Sequence, residues 1–332
     1  SGHTKQDLNP NPAKTWETKL GGRLSAVTAA MGKIFVAQID KHRVHALDEN
    51  TGEVAWTFTT GGRVDSPPTF HAGMLIFGSA DGCVYCVEAE TGTLAWKFHA
   101  APGVERHMAF EQLESVWPVH GSVLVQDDAA YFVAGRSNFL DGGLKFFKLN
   151  ATTGEVLAET NIDEKNPETG NNLQEKIATL QMPSGLPDIL AFQGGYVYMR
   201  SQQFDLNGNR LEIGPHSADA PTQGAVQRGG EHLFAPMSYL DGTYFHRAYW
   251  VFGKSFAGGH NGYYQAGKNA PSGRLLVADA ENVYGFGRKP EYLRWTTTLE
   301  HQLFAASRQA PEGALTSVQD KATRRGAAPK KA

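Results

Sequence analysis

The amino-acid sequence predicts an all-β fold built from repeated four-stranded antiparallel units. The 37 glycines and 18 phenylalanines among 332 residues indicate many tight turns between aromatic and β-branched strands. Tryptophan recurs at steps of 40 residues, at Trp16, Trp56 and Trp96. A fixed period of this size is typical of stacked supersecondary units. Together these features favour a repeat protein with a large β-sheet core.

The second repeat shows the four strands of a unit most clearly. It reads as four short runs separated by turn residues, namely SPPTFHAG, MLIFGSADG, CVYCVEAETG and TLAWKF. In each copy a Thr-Gly pair is predicted to close the turn between the third and fourth strands, since glycine adopts a positive φ at little cost. The tryptophan four residues after that glycine is predicted to cover the joint with the neighbouring unit. A third copy, KLNATTGEVLA, keeps the turn but has Ala158 in place of the tryptophan.

The second strand of the unit can be followed along most of the chain. It is an aromatic or β-branched run after a glycine or acidic turn. We place it at Ile34–Ala37, Leu75–Gly78, Tyr131–Ala134, Tyr196–Met199, Thr243–His246 and Val283–Phe286. The sequence therefore predicts about six units of the size of a propeller blade.

The pattern D-x-x-T-G-x-x-x-W, at Asp48, Thr51, Gly52 and Trp56, resembles the repeat of quinoprotein-like β-propellers. The wider chain, with QLESVWPVHGSVLV, FLDGGLKFFKLNATTG and VYGFGRKPEYLRW, is similar to bacterial PQQ-like propeller repeat proteins of an extracytoplasmic, planctomycete-type subgroup. The resemblance covers roughly residues 16–305 and implies a PQQ-like β-propeller, with about six recognisable blades of a seven- or eight-bladed ring. It also implies a periplasmic or other extracytoplasmic location. Further blades supplied by another segment or chain would complete the ring.

Composition limits the domain organisation and the partners. We expect a lead-in over residues 1–15, a propeller over 16–307 and a disordered basic tail over 308–332. With 31 Lys and Arg against 34 Asp and Glu, the net charge of −3 gives no electrostatic reason to expect a nucleic-acid partner. No apolar run approaches the roughly 18 residues of a membrane span, and we expect no signal peptide at the start of the sequence.

The two cysteines do not predict a cofactor. Quinoprotein dehydrogenases, as the resemblance implies, hold the quinone with calcium and a vicinal disulfide. Cys83 and Cys86 are not adjacent, and on a strand they face opposite sides, which indicates packing thiols. We therefore expect neither PQQ with calcium nor any other cofactor or metal.

One further stretch raises the question of a metal. Residues 106–114 have helical spacing, with His107, Glu111 and Glu114 on one face, and a metal site needs these to converge with His120. A solvated helix face is the favoured interpretation.

Long insertions at about 99–120, 161–186, 214–231 and 252–272 are all predicted to emerge on one side of the blades, which makes that side the candidate binding surface. Arginine follows the second strand in four units, and the first unit has His42 there instead. The predicted ligand-binding residues of this type are Arg136, Arg200, Arg247, Arg288 and His42. The alternative interpretation is that each arginine fixes a neighbouring loop or is solvated.

Aromatic residues and one histidine complete the predicted binding surface: His246, Tyr249, Tyr263 and Tyr264. Aromatic rings with arginines suit an acidic polysaccharide, and a protein partner is the other option. The sequence thus favours a non-catalytic binding or scaffold module, with no catalytic residue assigned. A polysaccharide lyase using His246, Arg247 and Tyr249, or a PQQ-dependent oxidoreductase, remains the alternative.

Overall fold

The computed structural model describes residues 11–163, 165, 169–171, 189–199, 202–211, 231–234, 248–252, 271–288 and 302–309. The chain divides into two compact units, residues 1–161 and 162–332. The predicted tail beyond residue 309 and the first ten residues lie outside the described residues. The described part of the chain has no helix of the length and apolar character needed to cross a membrane.

The first unit contains three four-stranded antiparallel meanders, which confirm the predicted repeat. The strands of the first sheet are β1 (Leu24–Ala30), β2 (Lys33–Gln38), β3 (Arg43–Asp48) and β4 (Val54–Thr59). Those of the second are β5 (Thr69–His71), β6 (Met74–Gly78), β7 (Cys83–Glu88) and β8 (Leu94–His99). Those of the third are β11 (Leu124–Gln126), β12 (Ala129–Ala134), β13 (Leu144–Asn150) and β14 (Val156–Ile162).

A two-stranded sheet lies between the second and third meanders, formed by β9 (Arg106–Ala109) and β10 (Gln112–Ser115). The helix that the spacing of residues 106–114 predicts is wrong, because these residues form two paired strands. Phe110 and Glu111 adopt φ values of 50° and 62°, which is the left-handed region that a tight two-residue hairpin turn requires. Local turn geometry therefore outweighs an apparent helical period in this short stretch. We refer to residues 106–115 as the connector hairpin.

The tryptophans cover the joints between repeats, as predicted. Trp56 is a residue of β4, and its indole Nε1 donates to the carbonyl oxygen of Ala89, just after β7 of the next sheet, at 3.1 Å. Trp96 donates to Ala151 O in the same way, also at 3.1 Å. Trp16 precedes the first sheet, lies in no assigned strand, and donates to Glu49 O at 2.8 Å. Each ring lies against the glycine of a Thr-Gly turn, so the repeated motif builds a repeated joint.

The core is made between neighbouring sheets, and β7 contributes to two layers of it. Phe35, Leu75 and Tyr85 belong to a cluster between the first and second sheets, with Cys83. Phe132 and Phe147 belong to a second cluster, with Cys86. The two thiols are free, buried and on opposite faces of their strand, which confirms the packing role.

The second unit is described in parts. One sheet has three strands, β15 (Leu190–Gln193), β16 (Tyr196–Met199) and β17 (Gln202–Phe204). The other has five, β18 (His232–Phe234), β19 (Ala248–Val251), β20 (Ser272–Ala278), β21 (Asn282–Arg288) and β22 (Gln302–Ser307). The predicted second strand at 196–199 is confirmed as β16, the second strand of its sheet. Residues 283–286 do form a strand, as part of β21, but β21 is the fourth of five strands and not the second. The predicted second strand at 243–246 lies outside the described residues.

Candidate functional site

The longest connection described in the first unit, residues 100–123, packs on the shorter loops of the same side. Ala80 in the β6–β7 loop donates its N–H to Arg63 O, in the link between the first two sheets, at 2.7 Å. Ala80 O in turn accepts from the N–H of Ser115, at the end of the connector hairpin, at 2.8 Å. Gly135, after β12, donates to Pro118 O at 3.0 Å. Connections from all three meanders thus meet around the connector hairpin.

The connector hairpin has two faces of opposite character. Met108 and Leu113 are cross-strand partners, and their side chains are 68% and 51% exposed. The next pair, His107 and Glu114, lies on the other face because successive side chains alternate along a strand. The Glu114 side chain is only 1% exposed. The hairpin therefore turns an acidic group inward and apolar groups outward, the reverse of a typical surface strand.

Arg63 provides the main inward contact for Glu114. Its guanidinium is fully buried and lies 2.6 Å from Glu114 Oε2 and 3.2 Å from Asp65 Oδ1. It also donates to Ala109 O at 3.3 Å and lies 4.8 Å from the centre of the Phe110 ring. Each of these groups except Asp65 belongs to the connector hairpin, so one buried arginine joins the hairpin to the first two meanders.

Two histidines and a second arginine complete the group. His120 Nδ1 is hydrogen-bonded to Asp65 Oδ2, and its Nε2 lies 3.9 Å from Glu114 Oε1. His107 Nε2 lies 3.6 Å from the same carboxylate oxygen. Arg136, after β12, forms an ion pair with Glu114 and is 29% exposed. We call this set the buried charge cluster: Arg63, Asp65, His107, Glu114, His120 and Arg136.

The pKa values within the buried charge cluster respond to burial and to nearby charges. Burial alone raises the pKa of Asp65, but the hydrogen bond from His120 and the charges of His120 and Arg63 outweigh it and lower that pKa overall. Burial and the nearby charge of Arg136 lower the pKa of His107. Asp65 therefore stays ionised, and its negative charge balances the buried positive charge of Arg63. Because Arg63, Asp65 and Glu114 are shielded from solvent, these three side chains hold the connector hairpin and do not contact a dissolved substrate.

The quinone site that the resemblance implies needs a set of calcium ligands and a vicinal disulfide. No three His, Cys, Asp or Glu side chains in the described ranges are placed to hold a metal ion. Cys83 and Cys86 are free and are not adjacent in the sequence, so they cannot form a vicinal disulfide. The expectation that no cofactor is bound stays a prediction.

Comparison with known proteins fits this repeat architecture. A model of the PQQ_2 family, described as outer membrane protein assembly factor BamB, matches residues 6–226. The chain belongs to this family. As a PQQ_2 protein it is a PQQ-like β-propeller repeat protein, as its sequence predicted.

Individual relatives of this PQQ_2 protein are distant. An 85-residue stretch is 32% identical to BamB of Burkholderia pseudomallei strain K96243 and covers 26% of this chain and 22% of that relative. BamB from Moraxella catarrhalis is 17% identical, with 72% of this chain and 71% of that chain covered and a TM-score of 0.34. Quinohemoprotein alcohol dehydrogenase ADHIIG from Pseudomonas putida HK5 is 16% identical, with 56% and 29% covered and a TM-score of 0.43. The chain thus spans about a fifth of the curated relative's length.

Two predicted site residues of the PQQ_2 protein contact the connector hairpin. Arg136 pairs with Glu114, and His42 Nε2 lies 2.7 Å from Oε1 of Gln112. His42 follows a short 3-10 turn and adopts a left-handed conformation with φ of 57°. The structure therefore brings these two residues to one element from different meanders.

The other predicted residues belong to the second unit. Tyr249 on β19 is buried in a core cluster with Phe234 and Val251, its ring centre 5.8 Å from that of Phe234. Arg288 is the last residue of β21 and is paired in register with Ser272. The remaining members lie outside the described residues: Arg200, His246, Arg247, Tyr263 and Tyr264.

Sequence reasoning did not single out the residues at the centre of the cluster. Arg63 belongs to a repeated Gly-Gly-Arg, and its counterpart Arg23 makes a more exposed ion pair with Asp40 at 2.8 Å. That repetition was a usable signal for Arg63. Glu114 was interpreted as part of a solvated helix face or, together with His120, as a metal ligand, so its pairing with Arg63 and Arg136 was missed.

Proposed function

We propose that this protein is a binding scaffold that recognises a protein partner through the outward face of the connector hairpin. The observation that carries the proposal is the orientation of the hairpin. Glu114 is buried in a charge cluster, whereas Met108, Phe110 and Leu113 are exposed. We call these three residues the apolar patch. Exposed apolar groups on a firmly held element are typical of protein-binding surfaces.

The loops around the hairpin support this proposal. Phe139 and Leu140, in the β12–β13 loop, also expose apolar side chains. That loop is joined to the same connection by a 2.9 Å hydrogen bond from Trp117 Nε1 to Asp141 O. Two connections thus present apolar side chains on the same side of the first unit. Burial of such groups favours association by roughly 25 cal/mol per Å² of apolar surface.

Family membership supports the same class of function. The matching family description, outer membrane protein assembly factor, names a protein that acts with other proteins. On that ground we also propose a periplasmic or other extracytoplasmic location. Export can be checked by fusing the complete gene product to alkaline phosphatase, which is active only after export.

A peptide-display selection tests the binding function. Random peptides of about twelve residues are selected on the immobilised full chain, and binding is then compared between two double variants. Met108→Ser with Leu113→Ser alters the apolar patch, whereas Val54→Ser with Leu94→Ser alters two other exposed apolar residues, at the starts of β4 and β8. We expect the first variant to lose at least about tenfold in affinity and the second to bind normally. Equal binding by both variants, or no peptide recovered, would overturn the proposal.

An acidic polysaccharide is the second candidate ligand. The partly exposed side chain of Arg136 is the observation that favours it, since arginine pairs readily with uronate carboxylates. Titration with oligogalacturonate and alginate oligomers separates the candidates. Binding that weakens in Arg136→Gln, but not in the apolar-patch variant, would favour the polysaccharide.

A further inference from the structure

The two long edges of the connector hairpin differ in their hydrogen bonding. In a hairpin with a two-residue turn, the residues flanking the turn form a hydrogen-bonded pair, here Ala109 and Gln112. The next pair, Met108 and Leu113, then directs its backbone N–H and C=O groups away from the hairpin. The same holds for Arg106 and Ser115, two residues further along.

The edge along β10 is in use at one of its two outward positions. Ser115 donates its N–H to Ala80 O at 2.8 Å, which ties this edge to the second meander. The edge along β9 is free, because no hydrogen-bond partner for the backbone groups of Arg106 or Met108 is found among the described residues. Open strand edges of this kind pair readily with another extended chain.

We propose that an extended segment of the protein partner binds along β9 as a third strand of the connector hairpin. This inference rests on the proposed protein-binding function and specifies the chemistry of the bound segment. The outward backbone groups of Arg106 and Met108 require alternating donors and acceptors at strand spacing, which an extended peptide supplies. Residues of the added strand beside Met108 extend the exposed Met108–Leu113 pair into a row across three strands.

The hairpin is well suited to act as a template. Its register is unbroken over all four residue pairs. On its inward face, Glu114 contacts Arg63 at 2.6 Å and pairs with Arg136. At its turn, Gln112 is hydrogen-bonded to His42. A strand edge that is already fixed costs little additional conformational entropy when a segment pairs with it.

Proline substitutions distinguish the two edges. Met108→Pro removes an outward N–H on β9 and leaves the internal hydrogen bonds of the hairpin intact, whereas Leu113→Pro does the same on β10. Met108→Ala is the control for the loss of the side chain. With a peptide from the display selection as probe, we expect Met108→Pro to weaken binding about tenfold more than either control variant.

A second arm keeps the test independent of how the variants fold. The same peptide is synthesised with N-methyl groups on alternate residues, which leaves one edge able to pair, and on every central residue, which blocks both edges. We expect binding to persist in the first and to fall about tenfold or more in the second. Binding that needs the apolar patch but ignores methylation and Met108→Pro would overturn strand addition and keep the proposed function.

A second copy of this chain is the competing occupant of the β9 edge. Sedimentation of the full chain without peptide tests it. A dimer that dissociates in Met108→Pro would show pairing between two copies and overturn the proposal of a separate partner. A monomer at all concentrations, together with methylation-sensitive peptide binding, supports the proposal.

Discussion

The indole of Trp56 reaches across the joint between two repeats and donates a 3.1 Å hydrogen bond to Ala89 O. The same ring lies over Gly92, where a Cβ atom would come within 2.8 Å of it. The glycine is therefore needed twice, once for its φ of 74° and once for the close approach of the ring. Trp96 and Gly154 repeat this relationship one unit further along.

We expect Gly92→Ala to destabilise the protein more than Gly73→Ala does. Both glycines have positive φ, at 74° and 81°, but a Cβ at Gly73 meets no atom within 4 Å. The difference between the variants therefore isolates the overpacked joint, at about 1–3 kcal/mol. Urea unfolding of both variants measures it. Equal losses of stability would show that the ring moves aside without cost.

We expect Glu114→Gln to loosen the connector hairpin. Removing this charge leaves the buried guanidinium of Arg63 with Asp65 as its remaining carboxylate, and breaking a buried ion pair in this way costs about 3–5 kcal/mol. Hydrogen exchange of residues 106–115 and urea unfolding report the effect. Glu111→Gln, in the exposed turn of the same hairpin, is the matched control. Unchanged exchange in Glu114→Gln would mean that the cluster does not hold the hairpin.

We expect the hairpin to loosen as the pH falls below the ordinary histidine pKa of about 6.5. The folded pKa of His107 is lowered by burial and by Arg136, so between the two values the unfolded state binds more protons and stability falls with falling pH. Asp141 and His120 face the same ring, and Glu114 Oε1 is 3.6 Å away. Hydrogen exchange of the hairpin between pH 7.5 and pH 5.5, two values roughly one unit either side of that pKa, measures it.

His107→Gln serves as the control for this pH effect. His45 also has a pKa lowered by burial and by Arg43, so global stability retains part of the pH dependence in that variant. Exchange within residues 106–115 isolates the contribution of His107. If the hairpin of His107→Gln shows the same pH profile as the parent protein, another group controls the transition.

We expect both thiols to resist alkylation in the folded protein. Burial, together with the charge of Asp81, raises the pKa of Cys83 to about 11, and burial raises that of Cys86 to about 12. Because the thiolate is the reactive form, modification at pH 8, close to the ordinary thiol value of about 8.5, should wait for unfolding. Titration with a thiol reagent, with and without denaturant, counts the reactive groups. A thiol that reacts quickly without denaturant contradicts the packing role.

The sequence was most informative where a local motif has one physical solution. Thr51-Gly52 and Trp56 determine a turn and a joint, and the sequence predicts both. The connector hairpin was missed because its turn residues, Phe110 and Glu111, do not favour the left-handed region, and apparent helical spacing concealed it. The buried charge cluster was missed because it joins residues up to 73 positions apart, from Arg63 to Arg136. Such pairs depend on tertiary packing, which no local pattern records.

The joints described above connect each repeat mainly to its immediate successor along the chain. When a protein with such nearest-neighbour coupling is stretched from its ends, its repeats unfold one after another and not in a single step. We expect force spectroscopy of the first unit to show separate rupture events, with the joint at Trp56 and the joint at Trp96 breaking independently. A mutation at one joint should then lower a single rupture force and leave the others unchanged.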